Sequence, residues 1–220
     1  MKLISLLDAK STNLKHYFTG KPCKRGHIAK RFVSSGNCCK CHLITSQKHK
    51  VSRRQAALIS LGSVCSSCSF SNPLALQIDH VNGGGGKEYK QLGQHGIHKA
   101  VINTKLGTYQ LLCANCNWIK RYENRECNQA TDNPSSTVKD RQHFRQKLLT
   151  KFGNTCRICK IKDPRCLQLD HVSGGGSRQR KKSNWYSIYK SALSSTDGQF
   201  QLLCANCNWI KRHTNNELGS

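Results

Sequence analysis

QLLCANCNWIKR occupies residues 110–121 and recurs unchanged at residues 201–212. Working outward from each copy, an earlier C-x-x-C pair repeats (Cys65 and Cys68; Cys156 and Cys159), followed by adjacent acid and imidazole (Asp79-His80; Asp170-His171). Every landmark of the first copy lies 91 residues before its counterpart, with no net insertion or deletion. Constant spacing of this kind means two units of one fold. In each unit 44 residues separate the two C-x-x-C pairs, the second pair being Cys113 and Cys116 or Cys204 and Cys207. That spacing predicts a structural zinc held by four cysteines in each copy.

The local patterns predict the elements that carry these landmarks. Each unit opens on a helical pattern, residues 54–61 closed by Gly62 and residues 138–152 closed by Gly153. Residues 74–81 and 166–172 alternate apolar and polar and predict a strand ending at Asp-His. A glycine run follows, residues 83–86 or 174–176. It reads either as a surface loop or as bare backbone that can lie against a phosphate. A short helix (residues 97–105; 185–193), a second strand and a final helix complete each unit. Between the units, residues 128–136 are polar, contain Pro134 and predict a linker.

Composition limits what such a chain can be. Only 36% of the 220 residues are hydrophobic, and repeat cores of about sixty residues bury too little to stand without a staple. Fourteen cysteines supply one. The apolar stretch at residues 3–7 is too short for a signal peptide and no stretch could span a membrane, so the expectation is a cytoplasmic protein with reduced, zinc-binding thiols. Lys and Arg number 36 against 11 Asp and Glu, a formal +25 that zinc-bound thiolates would lower to about +20. Such a surplus points to a polyanionic partner, and nucleic acid fits best.

Ahead of the repeats, Cys23, His27, Cys38 and Cys41 form a C-x3-H-x10-C-x2-C set that predicts a third zinc, with Cys39 and His42 near enough to substitute. Lys21, Lys24, Arg25, Lys30, Arg31 and Lys40 crowd around it, as expected of a clamp on phosphates. Cys39, Cys127 and Cys166 have no repeat partner, and Cys166, in the place of Ala75, reads as a small core residue.

The chemistry gathers where the zinc ties the hairpin to the last helix. Asp79 with Asn117, and Asp170 with Asn208, offer hard oxygens for Mg²⁺ or Mn²⁺. The neighbouring His80 and His171 can take a proton from water near neutral pH. Lys120 and Arg121, three and four residues after Asn117, share its helix face and are expected to hold phosphate, as are Lys211 and Arg212 in the second copy. The second copy adds Arg178, Arg180, Lys181 and Lys182 as DNA-binding candidates. Adjacent residues of a regular strand point to opposite faces, so Asp and His serve one site only if the strand twists or ends there.

The order C-x-x-C, Asp-His, C-x-x-C-Asn resembles the ββα-metal (His-Me, HNH) nucleases, most of all the phage recombination endonuclease VII branch. The resemblance covers residues 65–121 and 156–212. It implies that His80 and His171 are general bases and that the Asp and Asn pairs bind the catalytic metal. The central Asn of many HNH motifs is Thr108 here and Gln199 in the second copy, which leaves a backbone carbonyl as the alternative support for each imidazole.

The expectation is therefore an α+β chain of small zinc-stapled modules: a zinc knuckle (residues 1–52), a first ββα-metal repeat (53–127), a linker (128–137) and a second repeat (138–220). Its function would be metal-dependent endonuclease cleavage of double-stranded DNA, by a monomer with two sites or by a homodimer, with one or both repeats live. The rival is a non-catalytic zinc-finger DNA-binding regulator.

Overall fold

The computed structural model describes residues 1–103, 107–126, 135–196 and 198–217. In chain order the elements are α1 (Leu6–Ser11), β1 (His16–Tyr17), β2 (Arg31–Phe32), α2 (Cys39–Ser60), β3 (Leu76–His80), α3 (Gly85–Asn103), β4 (Tyr109–Cys113), α4 (Ala114–Glu123), α5 (Ser136–Lys151), β5 (Leu167–His171), α6 (Gly176–Lys182), α7 (Trp185–Ser194), β6 (Phe200–Cys204) and α8 (Ala205–Thr214). The chain is a mixed α+β protein, and among the described residues its strands pair as three antiparallel hairpins. Among the described residues no helix is long and apolar enough to cross a membrane.

Each repeat is a hairpin with a helix laid on it. β3 pairs with β4 and β5 with β6 in one register, Leu76 opposite Cys113 and His80 opposite Tyr109, Leu167 opposite Cys204 and His171 opposite Phe200. Leu76, Leu111, Leu167 and Leu202 are buried in the two cores, and β4 and β6 are buried throughout their last three residues, Leu111 to Cys113 and Leu202 to Cys204. Cys166 is fully buried among them, and burial pushes its thiol up to about 12, as suits a small core residue.

Two helices differ from the sequence reading. The first repeat's opening helix is no isolated 54–61 segment: α2 runs unbroken from the knuckle's last cysteines into the first core, across the 52/53 boundary. Few breakers interrupt that stretch, so the helix propagates from the zinc knuckle's edge until Gly62, whose φ of +90° ends it. Helical segments run from Gly85 to Asn103 across a kink at Gly93 (φ 61°, ψ 176°). The helix expected at 97–105 falls in the segment beyond that kink, residues 104–105 lying outside the described residues, and the segment before it has no counterpart in the sequence reading. In the second copy the same region is two helices, α6 and α7. Of the linker at 128–137, residues 128–134 lie outside the described residues, and α5 begins at Ser136.

The repeats pack on each other through α4 and α8. Backbone N–H of Asn115 donates to Asn206 Oδ1 at 3.0 Å, and N–H of Asn206 donates to Asn115 Oδ1 at 2.9 Å; both residues are buried. A contact from i to j matched by one from j to i is the signature of a two-fold interface, here inside one chain. These are also caps. The early N–H groups of a helix have no intrahelical partner. In α4 that of Ala114 goes to Ala75 O, that of Asn115 to the other repeat, and that of Cys116 to Cys113 Sγ. α8 repeats the scheme with Cys166 O, Asn115 and Cys204 Sγ. Trp118 and Ile119 of α4 lie against the second repeat's core, and Arg165 meets Glu123 across the interface at 2.7 Å.

Candidate functional site

Among the described residues three groups of ligand atoms could each hold a zinc: Cys23, His27, Cys38 and Cys41; Cys65, Cys68, Cys113 and Cys116; Cys156, Cys159, Cys204 and Cys207. Within each group all four atoms lie within 4.8 Å of one another. Sulfur pairs stand at 3.6, 3.7 and 3.5 Å (Cys23–Cys41, Cys68–Cys113, Cys159–Cys204). The edge of a tetrahedron with Zn–S bonds of about 2.3 Å is about 3.8 Å, so the donors fit the ion. Cys39 and His42 are outside the first group; His42 instead packs edge-on against Phe32. Burial pushes the thiols of Cys65 and Cys156 up, but the backbone N–H groups aimed at them outweigh it and leave both at about 7. Burial and sulfur neighbours push Cys116 and Cys207 up. Four sulfurs this close together suit a divalent cation, whose binding would displace their protons.

The second tetrad also draws on the first repeat. Asn115 hydrogen-bonds the Cys204 sulfur from across the interface, although burial dominates and raises that thiol to about 11.

On the hairpin face toward the last helix the two repeats match contact for contact. Gln77 and Asp79 share this face by strand alternation, and Gln110 lies opposite Asp79. Asn117 Nδ2 donates to Gln77 Oε1 at 2.7 Å, and Asn208 Nδ2 to Gln168 Oε1 at 2.8 Å. Asp79 Oδ2 accepts from Gln110 Nε2 at 2.8 Å and from Lys120 Nζ at 2.6 Å; Asp170 Oδ2 accepts from Gln201 and Lys211, each at 2.8 Å. Lys120 and Lys211 thus carry their ammonium groups on the Asp carboxylates and on His80 O and His171 O, each at 2.5 Å, instead of facing outward to meet phosphate. Three residues beyond Asn on a helix is one turn along the same face, so the lysine reaches the strand beside it. Asn208 Oδ1 is buried with no hydrogen-bond partner among the described residues. A buried amide oxygen left over in this way is costly unless something positive completes it.

His80 and His171 close their strands and turn to the other face, as alternation demands. Each imidazole lies against the ring opposite it, Tyr109 with centroids 4.9 Å apart and Phe200 at 4.7 Å. The glycine run that follows is neither loop nor phosphate cradle alone. Gly83 and Gly84, like Gly174 and Gly175, take left-handed φ values to reverse the chain. Gly85 and Gly176 then start a helix directly over the imidazole: a Cβ there would sit 2.7 Å from His80 Nδ1 and 2.8 Å from His171 Nδ1. Only glycine fits there without a Cβ pressing on that nitrogen.

The other ring nitrogen is tied down by a side chain, not by the backbone carbonyl expected in place of the central Asn. His80 Nε2 bonds Glu88 Oε2, and Glu88 Oε1 accepts from the Tyr109 hydroxyl at 2.6 Å. The Tyr109 hydrogen bond holds Glu88 below the usual carboxylate range, and burial with that carboxylate pushes Tyr109 up to about 12. His171 Nε2 bonds Gln179 Oε1 at 2.5 Å. Glu88 and Gln179 were not singled out in the sequence; the one signal is their equal distance, eight residues, from their histidines.

Arg178, Arg180, Lys181 and Lys182 are exposed on α6, and Arg121 and Arg212 lie over Trp118 and Trp209 at 5.1 and 5.2 Å. No family model, curated protein or solved structure matches this chain.

Proposed function

We propose that the chain is a metal-dependent DNA endonuclease of ββα-metal type, with one hydrolytic site in each repeat. The observation that carries this reading is the imidazole. In both halves Nε2 is tied to a side-chain oxygen, which in the neutral ring puts the hydrogen there and leaves Nδ1 with its lone pair, and a glycine sets no Cβ against that nitrogen. A histidine prepared in this way is a general base.

In the proposed step, Nδ1 of His80 or His171 takes a proton from water. The water oxygen bonds phosphorus, the P–O3′ bond breaks, and the 3′-oxygen leaves with its electron pair and takes up a proton from solvent. Asp79 with Asn117, and Asp170 with Asn208, would hold a divalent cation, which when bound supplies positive charge against the phosphoryl and leaving oxygens. The donor set suits Mg²⁺ or Mn²⁺: hard oxygens, one of them the unpartnered Asn208 Oδ1, and carboxylates that already attract an ammonium. Asp and His sit on opposite faces but at the hairpin's end, so a phosphate would have to lie across the tip to meet both. The exposed basic residues of α6 and of the knuckle provide the grip on DNA.

One observation favours the rival, a non-catalytic zinc-finger DNA-binding protein: Lys120 and Lys211 neutralise Asp79 and Asp170 without any metal. Supercoiled plasmid with Mg²⁺ or Mn²⁺, with and without chelator, separates the two. Cleavage that is chelator-sensitive and absent from a His80→Ala/His171→Ala double variant supports the nuclease. Binding without cleavage under every metal condition supports the rival.

A further inference from the structure

The two halves repeat their zinc ligands, their Asp, their Asn and their His, but not what holds the imidazole. The first half offers His80 a carboxylate, Glu88, whose second oxygen is bound by the Tyr109 hydroxyl. The second offers His171 an amide, Gln179, and where Tyr109 would stand there is Phe200, which has no hydroxyl. We propose that Glu88 is a positioning residue that makes the first site the faster of the two, so that the strands of a duplex are cut in a fixed order, the strand facing His80 first. This rests on both repeats being hydrolytic.

Three physical differences run the same way. A carboxylate only accepts hydrogen bonds, so beside Glu88 the neutral ring has one arrangement, hydrogen on Nε2 and lone pair on Nδ1. An amide can rotate and present its NH₂ instead, which would put the hydrogen on Nδ1 and silence the base. Next, a carboxylate stabilises the imidazolium formed as Nδ1 takes the proton, whereas an amide oxygen carries only a partial charge. Finally, Glu88 is held at both oxygens, by His80 and by Tyr109, so its geometry is set before substrate arrives. Replacing a carboxylate by its amide behind a catalytic imidazole slows a serine-protease triad about 10⁴-fold; we expect at least about tenfold here, where the general base alone is affected.

The division of labour is complementary. The second repeat carries four exposed cations on α6, Arg178, Arg180, Lys181 and Lys182. At the equivalent positions, 91 residues earlier, the first has Lys87, Tyr89, Lys90 and Gln91. The half that grips better is thus the half whose base is less well supported.

The test uses the full-length, zinc-loaded protein with supercoiled plasmid and Mg²⁺, following nicked and linear products and mapping each nick to its strand by sequencing. Wild type should accumulate nicked circles whose nicks fall on one strand at each site. Glu88→Gln, which copies the second repeat, should lower kcat for the first nick at least about tenfold with KM unchanged. Gln179→Glu with Phe200→Tyr, which copies the first, should speed the second nick and shorten the life of the nicked circle. A merely structural Glu88 would give no such gain from the reciprocal exchange. The proposal is overturned if first nicks divide equally between strands, or if Glu88→Gln with intact zinc content and DNA affinity nicks at the wild-type rate. If the wild type binds the plasmid but leaves it uncut under every metal condition, the nuclease reading falls as well; cutting without order removes the fixed sequence alone.

Discussion

Asn115 and Asn206 allow the inter-repeat interface to be tested without reference to activity. Replacing Asn206 by Ala removes the acceptor for the buried Asn115 N–H, one of the early donors of α4 with no partner inside the helix. Leaving a buried N–H unsatisfied costs about 1–3 kcal/mol, and loss of a helix cap about 1 kcal/mol, so a loss of about 2 kcal/mol is expected. Asn115→Ala removes the reciprocal bond and also the hydrogen bond that Asn115 gives the Cys204 sulfur. It should therefore cost more than Asn206→Ala and should loosen the metal of the second tetrad as well. For a chain of this size, about 2 kcal/mol corresponds to about 4–8 °C in Tm. The assay is thermal and urea unfolding of the zinc-loaded variants, with zinc release to a competing chelator followed in parallel. The double variant should lose less than the sum of the two singles, because both bonds depend on one approach of α4 to α8. If both single variants unfold within about 0.3 kcal/mol of wild type, the reciprocal caps carry no stability and the two repeats are not held as described. Equal costs with unchanged zinc release would contradict the role of Asn115 at Cys204.

Metal analysis should find three zinc ions per folded chain, and Cys113→Ser or Cys204→Ser should unfold its repeat, since cores this small depend on their metal; one zinc or none in folded protein would refute this. Binding to duplex DNA should weaken steeply with salt as Lys and Arg cease to displace counterions, so an affinity that is flat between about 50 and 200 mM salt counts against DNA as the partner. Gly176→Ala should abolish the nick made by the second site while leaving zinc content unchanged, because its Cβ would press on His171 Nδ1 from 2.8 Å; undiminished cleavage of both strands would mean that Nδ1 is not the base.

Much of the molecule is legible in the amino-acid order alone because it depends on short-range chemistry. Zinc ligands must come as close pairs, so Cys65-x-x-Cys68 and Cys113-x-x-Cys116 declare themselves, and their clustering follows wherever the hairpin forms. Alternation from Leu76 to His80 specifies a half-buried strand and its two faces. The twelve-residue repeat and the constant 91-residue offset establish that the hairpin and closing helix of the first unit recur in the second. What only the tertiary structure decided is which distant group lands against each of these. Glu88 and Gln179 lie in the stretch where the copies differ most, and nothing in their spacing says that a helix starting at Gly85 or Gly176 folds back over the imidazole. Lys120 and Lys211 read as surface cations because lysine usually is one; a strand carboxylate one helical turn from Asn draws them inward. Asn115 and Asn206 stand inside the most conspicuous motif of the chain and still show no sign of their role. Their partner is a copy of themselves 91 residues away, and a two-fold contact exists only once two folded units meet.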